Sequence, residues 1–312
     1  MSLNTIWSAY QDAGLKAAES VAAATLESRL YLALLAFSEA QYTTAAAHAA
    51  AAVQAAPDRL LPKAAETYLQ RVLREGKERV YVSGEAFGVF IRNGGNVGLY
   101  QAVSANLRRT YDDYTRLDLL DIGVGDGLAL LPALAPSIAR LDLVEPSAAM
   151  LNKAGLELYE MEIPYNAYNE PIQQFMLHGQ GPWDLMQATF SLQSLAPDER
   201  AKVLPWLCSH GARLLIAEFD LPDLGERLSP AQARYMIRRY ERGLGEYNED
   251  DLVAQGFLMP IFFSAFDRES PENYEQPIEL WEFELRSAGY TNIEMRQIFD
   301  YWWAPAYMID AS

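Results

Sequence analysis

The segment RLDLLDIGVGDG, residues 116–127, constrains this chain more than any other. An apolar run ends at Asp121, and Gly123, Gly125 and Gly127 follow at every second position. Glycine lacks a Cβ, so the backbone there can turn sharply and approach a ligand closely. The residues beyond read as a helix, whose first N–H groups have no partner within the helix. Further apolar runs lie at 141–144, 183–188, 214–219 and 293–298, alternating with helix-like stretches, and a last one covers 302–309. That alternation predicts strand–helix units and a mainly parallel sheet covered on both faces. A glycine-rich turn after a strand is by itself compatible with a dinucleotide or a mononucleotide.

The next strand narrows the choice. It ends at Glu145, 18 residues after Gly127. A carboxylate at that place accepts hydrogen bonds from two ribose hydroxyls. A dehydrogenase wants its glycines as G-x-G-x-x-G, whereas the spacing here is G-x-G-x-G. With these residues in view, the sequence resembles the class I S-adenosylmethionine-dependent methyltransferases. DIGVGDG is similar to their first motif and VEPSAAMLNKA to their second. WDLMQATFSLQSL (183–195) looks like the fourth strand and its loop, GARLLIAEFD (211–220) like the fifth, and SAGYTNIEMRQIF (287–299) like the entry to the sixth. The resemblance runs from Asn96 to the C-terminus apart from one insertion. It implies an α/β, Rossmann-like, mainly parallel seven-stranded sheet with S-adenosylmethionine as cofactor. By the same resemblance, Asp121 sits near the cofactor's amino-acid end and Gly123, Gly125 and Gly127 let that end pack on backbone. Glu145 holds the ribose, Pro146 and Met150 flank the adenine, and Phe190 walls the methionine side. The family often has an acidic residue after the third strand. Here the local stretch offers Asn166 or Asn169.

Catalytic candidates lie beyond the fourth and fifth strands. Small-molecule members of the family often carry a His where this chain has Gln193 and Ser194, so Gln193 is expected to orient a substrate, or simply to start a helix. Glu218 and Asp220 flank the end of the fifth strand, where ligands bind in open α/β sheets. Either is a base, a grip for a cationic substrate, or a carboxylate capping a loop. His178 reads as a surface-loop histidine, and His210 and Cys208 read as structural.

The first 80 residues are rich in Ala-containing helical stretches and read as an all-helical domain, 1–80, packed as a cap. A glycine-rich joint and a helix occupy 81–114, and the methyltransferase-like domain spans 115–312. Within it, 221–276 is too long for an ordinary strand-to-helix connection and reads as a substrate or lid insertion. Ser229-Pro230 is a cap followed by a first-turn proline. Sixteen Asp and Glu against six Arg between 217 and 284 carry ten of the seventeen net negative charges. Phe263 in GFLMPIFFSAFD, Trp302 in DYWWAPAY and Phe87 in the joint are expected to line an apolar or aromatic substrate pocket.

The net charge of −17 repels phosphate backbones, which argues against a nucleic-acid partner. One cysteine and three dispersed histidines give no metal site. No apolar run reaches membrane-spanning length, and the first residues lack the basic start of a signal peptide, so the expected compartment is the cytoplasm. The reading is a methyltransferase for a small, apolar or aromatic molecule, methylated at N, O or C and belonging to secondary metabolism. Its rivals are a protein or peptide methyltransferase gripping its partner with the helical N-terminus, and a non-catalytic, cofactor-binding regulator. A homodimer is an expectation from the resemblance alone.

Overall fold

The computed structural model describes residues 2–80, 82–247, 250–267 and 273–312. The chain divides into two compact units, Met1–Asn96 with Leu224–Glu272, and Val97–Asp223 with Asn273–Ser312.

The first unit is helical. Its central helix, Leu26–Ser38, is buried on nearly every side from Leu30 to Phe37. A helix apolar all round belongs in the middle of its neighbours. Around it pack the helices Leu3–Ala13, Leu15–Val21, Tyr42–Ala55 and Leu60–Glu75. Small alanines at 45, 46, 49 and 52 face inward on the fourth of these five and allow close approach. The helix Leu60–Glu75 stops at Gly76.

The insertion belongs to this unit, so the boundary expected at residue 80 and the assignment of 221–276 to the second domain are corrected. Side-chain chemistry explains the attachment. Ser229 caps the helix Pro230–Glu246 as its sequence predicts. On that helix, Glu241 accepts from the backbone N–H groups of Leu60 and Leu61 at 3.0 and 2.9 Å, closing a helix end that its own sequence leaves uncapped. The Tyr31 hydroxyl donates to the Leu228 carbonyl at 2.6 Å. The aromatic run around Phe263 folds into a short π-helical segment, Ala254–Leu258, and the helix Met259–Ser264. Residues 248–249 and 268–272 of the insertion lie outside the described residues.

The second unit is a seven-stranded sheet in the order β3-β2-β1-β4-β5-β7-β6. The strands are β1 (Leu117–Ile122), β2 (Ile138–Val144), β3 (Asn166–Tyr168), β4 (Leu185–Thr189), β5 (Leu214–Phe219), β6 (Ile293–Asp300) and β7 (Pro305–Ala311). The first five pair in parallel, while β7 runs antiparallel to both β5 and β6. The expected "mainly parallel" sheet therefore holds for β1–β5 and is corrected at β6 and β7, which are consecutive strands joined by a short turn. One face is covered by Val103, Leu107 and Tyr111 of the helix Gly95–Tyr111 with Leu151 and Leu158 of Ala148–Glu160. The other is covered by Phe175, Val203, Leu207, Trp281 and Leu285.

A second correction concerns the stretch after the glycines. The expected helix is reduced to turns and one 3-10 turn, Leu131–Ala133. Pro132 and Pro136 in that stretch remove N–H donors and crowd the preceding turn, so an α-helix cannot propagate. Among the described residues, no helix is long and apolar enough to cross a membrane.

Candidate functional site

The ends of β1, β2, β4 and β5 place the predicted cofactor residues side by side. Asp121 and Gln187 are register neighbours on β1 and β4. The Gln187 Nε2 donates to Asp121 Oδ2 at 2.6 Å, and the Tyr111 hydroxyl donates to Gln187 Oε1. Asp121 is 2% exposed, and its Oδ1 is buried without a hydrogen-bond partner. Burial pushes its carboxyl up to about 7, the Gln187 hydrogen bond opposing this and the charge of Glu145 adding to it.

After β1 the backbone enters the left-handed region at Gly123, φ +72°, and again at Gly125, φ +59°. A Cβ on Gly123 would stand 2.4 Å from the Ser191 Cβ, so the turn and the loop after β4 meet only because that atom is missing. A Cβ on Gly125 would meet nothing within 4 Å among the described residues. Gly125 thus presents bare backbone to an open side. Its N–H donates to Glu145 Oε2 at 3.0 Å, and the Ser147 N–H donates to Oε1 at 2.8 Å. Glu145 is thereby held against the glycine turn. Pro146 is exposed and Met150 half-buried at the start of the following helix, which Ser147 caps. Asn169 donates to the carbonyls of Glu145 and Pro146 at 2.9 and 3.0 Å, and Asn166 to Asp142 at 2.7 Å, so both amides brace the strand ends.

Phe190 leaves β4 with φ +50°, an unusual conformation for a non-glycine residue. Its ring stacks on Phe219 at 4.5 Å, and Phe219 stacks on Tyr301 at 5.5 Å. Trp302 continues the row 5.5 Å from Tyr301, in the turn between β6 and β7 and not in a strand. Beside this row, the Gln193 N–H donates to Glu218 Oε1 at 3.1 Å, and Gln193 Oε1 is buried without a partner. Glu218 is 1% exposed. Burial pushes it up to about 8, the Gln193 N–H opposing, Glu275 raising and Arg200 lowering it. Glu275 accepts from Trp303 Nε1 at 2.8 Å and is itself pushed up to about 7 by desolvation.

Three expectations narrow or change. Asp220 Oδ1 accepts from the Ile278 N–H at 3.1 Å at the start of the helix Ile278–Ala288, which is the capping role among those the sequence allowed it. Phe263 is 1% exposed, with Phe37 and Tyr68 rings at 4.8 and 4.9 Å, so it is a core residue of the helical unit. Phe87 belongs to that same unit and packs on Phe257 at 5.5 Å, whereas Trp302 belongs to the sheet unit. Sequence reasoning missed Gln187, Tyr111, Ser191 and Glu275. Only Gln187 carried a signal, as an amide in the otherwise apolar strand LMQAT.

The sheet has five parallel strands in the order 3-2-1-4-5, with the glycine turn after the first and an acidic residue ending the second. The sheet unit has an α/β, Rossmann-like fold. Solved structures of similar fold include an S-adenosylmethionine-dependent methyltransferase of Clostridium acetobutylicum, at 12% identity over 73% of this chain and 98% of that one, with a TM-score of 0.49. Magnesium protoporphyrin IX methyltransferase of Synechocystis with bound SAM is similar at 13% identity over 69% and 80%, TM-score 0.45. A candidate O-methyltransferase of Nostoc punctiforme is similar at 15% identity over 67% of this chain, TM-score 0.46, and the match spans 55% of its own length. At these values the likeness says nothing of substrate or residue roles. No protein-family model matches the chain, and no curated protein matches it in sequence.

The residues at these strand ends fit a cationic, ribose-bearing cofactor. Asp121 offers a buried oxygen lacking a donor, Gly125 offers an open backbone face, and Glu145 offers a fixed carboxylate beside it. Among the described residues, no group of three or more His, Cys, Asp or Glu side chains could hold a metal ion.

Proposed function

We propose that this protein is an S-adenosylmethionine-dependent methyltransferase acting on a small apolar or aromatic molecule. The observation that carries the reading is the pair of carboxylates at adjacent strand ends. Asp121 has a donor-less buried oxygen, and Glu145 is pinned to the Gly125 backbone. Asp121 binds the ammonium of the cofactor, and Glu145 accepts from its ribose hydroxyls. When bound, S-adenosylmethionine supplies a methyl carbon activated by a sulfonium, open to in-line displacement.

The chain's own contribution is alignment, exclusion of water and proton handling. The Phe190–Phe219–Tyr301 stack supplies a flat apolar wall at the carboxyl end of the sheet, suited to a planar acceptor. Glu218 takes the acceptor's proton, and Gln193 holds the Glu218 carboxylate through its N–H. At neutral pH the Glu218 carboxyl is mostly protonated, so this role implies turnover that rises with pH toward a plateau above about 8.

Titration calorimetry with S-adenosylmethionine, followed by a metabolite-panel assay read as the mass gain of one methyl group, tests the proposal. Binding, with turnover lost in Glu218→Gln and in Phe219→Ala, is the expected result. A protein that binds no cofactor overturns the reading. One that binds cofactor and methylates a polypeptide instead overturns the substrate class.

A further inference from the structure

Asp121 is held by a two-member buried relay. Tyr111 and Gln187 are fully buried, on the helix Gly95–Tyr111 and on β4. A phenol hydroxyl donates only one hydrogen bond, and here it donates to the Gln187 carbonyl oxygen. That contact and the Asp121 carboxylate, which only accepts, together set which way the amide faces. Its NH2 must then point to Asp121, where it meets Oδ2 at 2.6 Å. One carboxylate oxygen thus has a donor and the other, Oδ1, is left buried and without one. An amide facing the other way would set a carbonyl against the carboxylate and turn the site from attraction to repulsion.

We propose that Tyr111 and Gln187 are positioning residues that aim Asp121 Oδ1 at the ammonium of the cofactor's amino-acid end. The inference rests on the cofactor reading above and adds residues to it. The empty oxygen calls for a cationic N–H donor, because a buried carboxylate is costly unless paired. The titratable groups acting on Asp121 are Glu145 from β2 and the Tyr111 phenol from the helix, and burial holds both Asp121 and Tyr111 toward their neutral forms. Ligand binding therefore draws a proton off Asp121, and affinity acquires an acidic limb set by this relay.

The test compares two ligands by titration calorimetry from about pH 5.5 to 9. S-adenosylhomocysteine carries the ammonium, while 5′-methylthioadenosine keeps the nucleoside and lacks the amino-acid end. For the unaltered protein, affinity for the first should rise through about pH 7, and affinity for the second should stay flat. Gln187→Leu should move the rise to higher pH and weaken the first ligand about tenfold at neutral pH. The gentler Tyr111→Phe should move it the same way by less. Neither should change affinity for the second ligand. If both variants keep the original pH profile, or lose both ligands in parallel, the relay is only structural and the inference fails. PH-independent binding of both ligands by the unaltered protein overturns the relay alone. Failure of the unaltered protein to bind either ligand overturns the cofactor reading and the relay with it.

Discussion

Gly123 and Gly125 share a left-handed backbone and differ in what surrounds them. Alanine at either position carries the strain of a side chain at positive φ, about 1–2 kcal/mol. At Gly123 the added methyl also meets Ser191 at 2.4 Å, so the loop after β4 must move. Gly123→Ala is expected to lower the melting temperature well beyond Gly125→Ala. Gly125→Ala should fold and lose affinity for S-adenosylhomocysteine, because its methyl enters the open face. Equal melting temperatures for the two variants would contradict this account. Asp121, the glycines and Glu145 were legible in the sequence because a short motif fixes their local geometry. Tyr111 was not legible, since a tyrosine at a helix end has no pattern that reveals a partner 76 residues away on β4.

At the scale of elements, the sequence marks strands and caps well and misjudges ends decided by distant partners. Ser229 caps its helix by accepting from the N–H of Gln232, three residues on, a contact its own spacing dictates. The helix Ile278–Ala288 instead takes its capping oxygen from Asp220, 58 residues away. Asp220→Ala should therefore cost about 1 kcal/mol in denaturant unfolding and leave turnover intact. Loss of turnover at unchanged stability would restore Asp220 to the catalytic set. Phe263→Ala empties a site between Phe37 and Tyr68, and should cost about 3–5 kcal/mol. A stable Phe263→Ala protein with weakened substrate binding would return Phe263 to the substrate pocket. β3 shows no apolar run of its own because it is three residues long and its exposed positions carry no alternation.

Among the described residues, the carboxyl groups of Asp121, Glu275 and Glu218 are pushed above their ordinary range, to about 7, 7 and 8. In the unfolded chain they ionise near 4, so folding favours their protonated forms. The stability they contribute is complete below about pH 4 and is lost as pH rises through 7 and 8. Melting temperature measured from about pH 5 to 9 should fall over that window, and Glu218→Gln should flatten the fall. The net charge of −17 adds self-repulsion, which salt screens, whereas the buried groups keep their slope in salt. A flat profile in high salt would remove the buried carboxyls from the account. The sequence by itself determined the glycine turn, the acidic end of the second strand and the alternation of strand and helix, because each depends on neighbours a few residues apart. Tertiary structure alone decided that 224–272 joins the N-terminal helices, that Asp220 caps a helix and that Gln187 orients Asp121. Those outcomes turn on hydrogen bonds between groups far apart in the chain, and no local spacing encodes which buried donor will find which acceptor.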